Sequence, residues 1–200
     1  TNLSNENRRT IFSSPLREWT SVWKTAETLF VTTKPSASAV GMSYALSRDG
    51  DLSRIASNNG LTVLPNPSGT RVLYTSASTN SFQSFVFTRD TQETVSLSVR
   101  TLPEKCVWRG DDELVCAIPN TIPPNIPDVW YQGRISFNDT LWIIDVANEQ
   151  YDFLYSPEET DARQTMDMIE LDLSDDGLIL SFINKKDLRG WIADLGMQDN

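Results

Sequence analysis

Apolar positions along this chain come in short runs separated by Gly, Pro, Asn, Asp and Ser, and almost nowhere do they recur at the three- and four-residue spacing of an amphipathic helix. The runs are rich in Val, Ile, Thr and aromatic residues, which suit half-buried strands. They predict thirteen strands, over 29–33, 42–47, 61–64, 71–76, 85–89, 94–99, 106–108, 114–118, 141–146, 151–155, 168–173, 178–184 and 191–194. The fold class is therefore all-β.

The strands repeat. Three hairpins share one grammar, a strand, a polar turn containing Gly and a more apolar strand, with the turns at Gly69, Gly110 and Gly177; a weaker copy runs over 23–30. Each is followed by a second hairpin, and these align on Tyr44, Val86, Trp142 and Trp191. From Ala26 to Gly69 is 43 residues and from Gly69 to Gly110 is 41, and four strands every 40 to 45 residues is the period of a β-propeller blade. The step of 67 residues from Gly110 to Gly177 reads as a blade carrying insertions, the main one a loop over 119–134. The expected architecture is about four blades of four antiparallel strands, over 14–57, 58–100, 101–157 and 158–200, with 1–13 a closing strand or the end of a preceding blade. A strand-like run at 9–13 and a last blade with three clear strands fit two arrangements: a closed four-blade ring, or the C-terminal half of a ring of seven or eight blades. An open half ring would expose blade faces and favour self-association.

Cys106 and Cys116 flank two such strands around Gly110, Asp111 and Asp112. Pairing across that turn sets Arg109 against Glu113, Trp108 against Leu114, Val107 against Val115 and Cys106 against Cys116. The two sulfurs then face each other, as a cross-strand disulfide of an exported protein or as two buried thiols of a cytosolic one.

Composition narrows the chemistry. The 200 residues carry 17 Lys and Arg against 27 Asp and Glu, a net charge of -10 that disfavours nucleic acid and anionic lipid. There is no His, which removes imidazole catalysis and most catalytic zinc or iron sites. No apolar run approaches the roughly 20 residues of a spanning helix, so this segment is not expected to insert into a membrane. The first residues carry neither Met nor a signal sequence and read as a boundary inside a longer polypeptide.

The hairpin string Asn66-Pro67-Ser68-Gly69-Thr70-Arg71-Val72-Leu73-Tyr74 resembles the TolB-like and WD40-like propeller repeats of bacteria. The longer strings over 11–19, 32–37, 101–108, 127–133 and 182–187 are similar to the C-terminal part of uncharacterised propeller proteins of candidate-phylum bacteria. That resemblance implies further N-terminal blades behind a membrane anchor absent from this chain, and so an extracytoplasmic location at the cell surface or in the periplasm. It implies no activity and no catalytic residues.

Four of the ten prolines fall between Pro119 and Pro127. A loop so stiffened would hold Asp128, Trp130, Tyr131 and Gln132 ready for a protein, peptide or glycan, as Trp and Tyr anchor many interfaces. The other reading of the same loop is a plug that buries both rings over one end of the propeller. The eight carboxylates at 158, 159, 161, 167, 170, 172, 175 and 176 read as a solvated acidic edge. Lys105, Lys185 and Lys186 read as surface residues, and Trp19, Trp23, Trp108, Trp142 and Trp191 as inter-blade core. No catalytic residue, metal site or cofactor is assigned. The expected function is a non-enzymatic binding or scaffolding domain; the alternative is a carboxylate-based glycan hydrolase at the propeller's funnel, using pairs such as Asp128 with Asp139 or Glu104 with Asp128.

Overall fold

The computed structural model describes residues 10–78 and 81–196. These residues form four antiparallel meanders in chain order. The first sheet is β1 (Trp19–Trp23), β2 (Thr28–Thr33), β3 (Val40–Ser47) and β4 (Leu52–Asn59); the second is β5 (Val63–Pro65), β6 (Arg71–Ala77), β7 (Phe82–Thr88) and β8 (Glu93–Ser96). The third is β9 (Cys106–Arg109), β10 (Glu113–Pro119), β11 (Asp139–Asp145) and β12 (Gln150–Tyr155). The fourth is three-stranded among the described residues, with β13 (Met168–Leu173), β14 (Ile179–Asn184) and β15 (Arg189–Asp194). They are the blades of a β-propeller.

Packing between blades explains the sequence pattern. Val72 and Tyr74 pack on Phe30, Ala45 and Ile55 of the first sheet, while Leu73 of the same strand packs on the third through Trp108 and Leu114. A blade covered on both faces buries both parities of its strands, which is why β6 and β10 read as continuous apolar runs. Val115, Ala117 and Leu141 then meet Met168, Leu180 and Phe182 of the fourth sheet. Among the described residues, no buried cluster draws on both the first and the fourth sheet.

The repeat glycines are set by backbone geometry: Gly69, Gly110 and Gly177 all turn at φ between 70° and 72°, where a β-carbon is disfavoured. Across the Gly110 turn the register is Arg109 to Glu113, Trp108 to Leu114, Val107 to Val115 and Cys106 to Cys116, and the two cysteines form a disulfide with Cα atoms 4.2 Å apart.

The structure corrects several expectations. β1 and β4 are additional strands: β4 is an outer edge, Leu-Ser-Arg-Ile-Ala-Ser-Asn-Asn, in which only the adjacent Ile55 and Ala56 are buried, so it shows no apolar alternation. Residues 10–13 stand in no strand, and Arg9 lies outside the described residues; Phe12 instead packs edge-on against Trp19, which in turn meets Tyr44. Trp23 is not core but 59% exposed, because it ends an innermost strand.

Candidate functional site

In a four-strand meander the second-to-third connection and the link to the next blade emerge at the same end. That end of the propeller gathers the segments 34–39, 60–62, 97–105 and 120–138, while the short glycine turns occupy the other. The insertion folds back across this end. Ile126, Trp130 and Phe137 bury themselves against Ala77, Phe82 and Leu102 of the second blade and the link after it. Gly60, at φ 61°, lies so close beneath that a β-carbon there would stand 2.5 Å from the Ala77 Cβ and 3.1 Å from Pro127.

Beside the insertion opens a cavity of about 880 Å³. Thr20 and Val22 of β1 and Phe30 and Thr32 of β2 form one wall, Leu61, Thr62 and Val63 another, and Glu104, Asp128, Tyr131 and Gln132 the third, with Glu18 and Lys34 at the margin. The one-turn helix α1 (Asp128–Tyr131) supplies Asp128 and Tyr131 to the third wall. Asp128 accepts hydrogen bonds from the Ala37 N–H at 3.2 Å and the Ser36 hydroxyl at 3.4 Å, so the insertion is tied to the first blade as well.

Behind α1 lies a fully buried ion cluster. Lys105 donates to Asp167 at 2.6 Å, to Asp139 at 2.7 Å and to the Met168 carbonyl at 2.9 Å. Asp167 also accepts from the Trp130 indole at 2.9 Å and the Phe137 N–H at 3.0 Å, and Asp139 accepts the Met168 N–H at 2.6 Å. Burial raises the Asp139 carboxyl to about 6, with Lys105 opposing. Lys185 crosses over the Trp130 ring at 3.6 Å and donates to its carbonyl at 2.6 Å, an arrangement that fixes the indole from its other side. Glu104 is pushed above the usual carboxylate range chiefly by burial, and its Oε1 takes the Tyr131 hydroxyl. Tyr131 is correspondingly held protonated, first by burial and then by the charges of Glu104 and Asp128.

The residues singled out in the sequence divide here. Asp128, Tyr131 and Gln132 line the cavity, whereas Trp130 is 3% exposed and acts as the insertion's anchor; Tyr131 retains 43% of its surface. The loop thus seals one ring and leaves its neighbour exposed. Of the two carboxylate pairs, Glu104 and Asp128 share the cavity, but Asp139 is withdrawn into the ion cluster. Lys105 and Asp167 are corrections: the lysine is wholly buried rather than superficial, and Asp167 leaves the acidic edge to pair with it, while the other seven carboxylates of that stretch are exposed. Lys185 also reaches inward, to the Trp130 carbonyl, whereas Lys186 is exposed as expected and donates at the surface to Asn138 and Thr165 at 2.6 Å. The one available signal was position: Asp139 and Asp167 each stand where a strand begins, and Lys105 where β9 does.

No family model and no curated protein matches the chain. Solved structures do. It is similar to the uncharacterised protein lmo1340 from Listeria monocytogenes EGD-e, with 16% identity and TM-score 0.58 over 92% of this chain and 50% of that one. It is likewise similar to a putative TolB from Agrobacterium tumefaciens, with 11% identity and TM-score 0.59 over 96% and 63%. The β-propeller domain of the trilobed protease from Pyrococcus furiosus matches with 10% identity and TM-score 0.52 over 88% and 56%. These likenesses establish the propeller fold. The chain spans between half and 63% of the length of these structures. Among the described residues, no helix is long and apolar enough to cross a membrane.

Proposed function

We propose that this chain is a non-enzymatic binding domain that takes a segment of a protein, peptide or glycan partner in the cavity beside the insertion. One observation carries the reading: Tyr131 is presented at the cavity while Trp130, next to it in the same turn, is locked by Asp167 and Lys185. A presented ring on a fixed turn loses little freedom on binding, which is how preorganised sites gain affinity. The disulfide supports an oxidising, extracytoplasmic setting, and the resemblance to anchored bacterial propellers supports the same placement. The free face of the fourth sheet, where Ile179 is 37% and Ile192 76% exposed, supports self-association as a second kind of contact. The test is a screen of immobilised peptides and glycans against the intact chain and the double variant Tyr131→Ala, Gln132→Ala. A ligand bound by the intact chain and lost by at least ten-fold in the variant supports the reading; equal binding by both removes the cavity from it.

A carboxylate hydrolase is the second reading, favoured by Glu104 and Asp128 sharing one cavity with the Glu104 carboxyl raised above the usual carboxylate range by burial. Release of reducing sugar from a glycan substrate, abolished by Glu104→Gln, would establish it in place of the first.

A further inference from the structure

We propose that the cavity is a receptor for the primary ammonium of a lysine side chain carried by an extended peptide. This rests on the binding reading above and names its ligand.

The charge of the walls is one-sided. Glu18, Glu104 and Asp128 line the cavity against a single cation, Lys34, whose Nζ is already paired with Glu18 at 3.3 Å. Glu104 and Asp128 therefore share the cavity with no free cation among its lining residues. Lys105, the next residue after Glu104, faces away and is engaged by Asp139 and Asp167.

Glu104 is also incompletely satisfied. Its Oε1 meets the Tyr131 hydroxyl, but Oε2 is sealed from solvent with no hydrogen-bond partner among the described residues. Buried polar atoms without partners are uncommon in folded proteins. An ammonium group offers three donors and no acceptor, enough to supply the Glu104 carboxylate and Asp128 together once the Tyr131 hydroxyl releases Glu104, the turn that carries the ring staying fixed. The Tyr131 hydroxyl that Glu104 Oε1 accepts is the group an ammonium would displace. Tyr131, which keeps 43% of its surface exposed at the cavity, then offers its ring to the four-carbon stem.

The backbone beside the cavity suits an extended ligand. The Lys34 N–H donates to the Glu18 carbonyl at 3.0 Å, so hydrogen-bonded pairs between β1 and β2 fall at Glu18, Thr20 and Val22. The peptide groups of Trp19, Ser21 and Trp23 consequently point away from β2 along the open edge of the sheet. An extended peptide can pair with such an edge and send alternate side chains into the adjoining cavity. A volume of about 880 Å³ holds a lysine side chain together with its flanking residues.

The test titrates the intact chain, by calorimetry, with four end-capped pentapeptides of one sequence whose central residue is lysine, acetyl-lysine, norleucine or arginine. The lysine peptide should bind at least ten-fold more tightly than the acetyl-lysine and norleucine peptides. Glu104→Gln and Asp128→Asn, each checked by thermal melting for an intact fold, should remove that preference without weakening the acetyl-lysine peptide. Equal binding of lysine and acetyl-lysine peptides overturns the inference, as does arginine binding as well as lysine. Binding of a glycan but of none of the peptides overturns it and leaves the binding reading standing. If neither any peptide nor any glycan binds, both fail.

Discussion

Lys105 Nζ and Asp167 Oδ1 meet at 2.6 Å with both side chains cut off from water, across 62 residues of chain. The lysine stands where the link between the second and third blades enters β9, and the aspartate just ahead of β13. Because Asp167 also receives the Trp130 indole, one carboxylate joins the third blade, the fourth blade and the insertion that walls the cavity. The site is thus held by a charge that sequence alone leaves on the surface.

Removing the lysine should be costly. Lys105→Met leaves Asp139 and Asp167 buried without their cation, and breaking a buried pair in this way costs about 3–5 kcal/mol. Urea denaturation followed by tryptophan fluorescence measures it. A triple variant, Lys105→Met with Asp139→Leu and Asp167→Leu, should recover part of the loss, since no unpaired charge remains. A Lys105→Met variant within about 1 kcal/mol of the parent would mean the cluster is solvated in practice.

The pH dependence has a definite sign. Asp139 titrates near 6 in the folded chain against an ordinary 3.8, so between about pH 4 and pH 6 the folded state keeps a proton that the unfolded chain releases. Raising the pH through that window then favours unfolding, by about 3 kcal/mol once both states have ionised. The Asp139→Asn variant lacks this proton. Parallel denaturation curves at pH 4, 5, 6 and 7 should show the parent losing stability relative to Asp139→Asn by about that amount, and a constant difference would contradict it.

Adjacent rings should behave oppositely. Trp130 is buried, stacks on Phe137 at 5.9 Å between centroids and bonds Asp167, so Trp130→Ala should cost about 3–5 kcal/mol and collapse the third wall of the cavity. Tyr131 is exposed, and Tyr131→Ala should cost about 1 kcal/mol while abolishing ligand capture. Thermal melting paired with the binding assay separates the two; similar destabilisation by both would show that Tyr131 is part of the core.

How far the sequence reached follows from the range of the interactions involved. Blade strands are read from local alternation and from turn glycines such as Gly69 and Gly177, because those signals lie within ten residues of each other. β4 escapes because an outer edge strand facing water needs no apolar pattern, and its polar residues resemble a loop. Asp128, Tyr131 and Gln132 could be placed together on one loop because proline stiffening is local. The role of Lys105 was not legible: its partners Asp139 and Asp167 lie up to 62 residues away, and only the fold brings them together.

The Cys106–Cys116 bridge offers the last prediction. Both sulfurs sit in the core between the second and third blades, and the bridge closes a short loop across the Gly110 turn. Constraining the unfolded chain over roughly ten residues contributes about 3 kcal/mol. The double variant Cys106→Ala, Cys116→Ala should therefore unfold at lower denaturant by about that amount. Because Cys106 is 5% and Cys116 0% exposed, dithiothreitol added to the folded protein should leave the bridge intact, whereas the same reagent added in urea should reduce it and lower the midpoint on refolding. Thiol titration with and without urea, read beside the two denaturation curves, checks both statements, and reduction of the folded protein at the rate of a free disulfide would contradict the second.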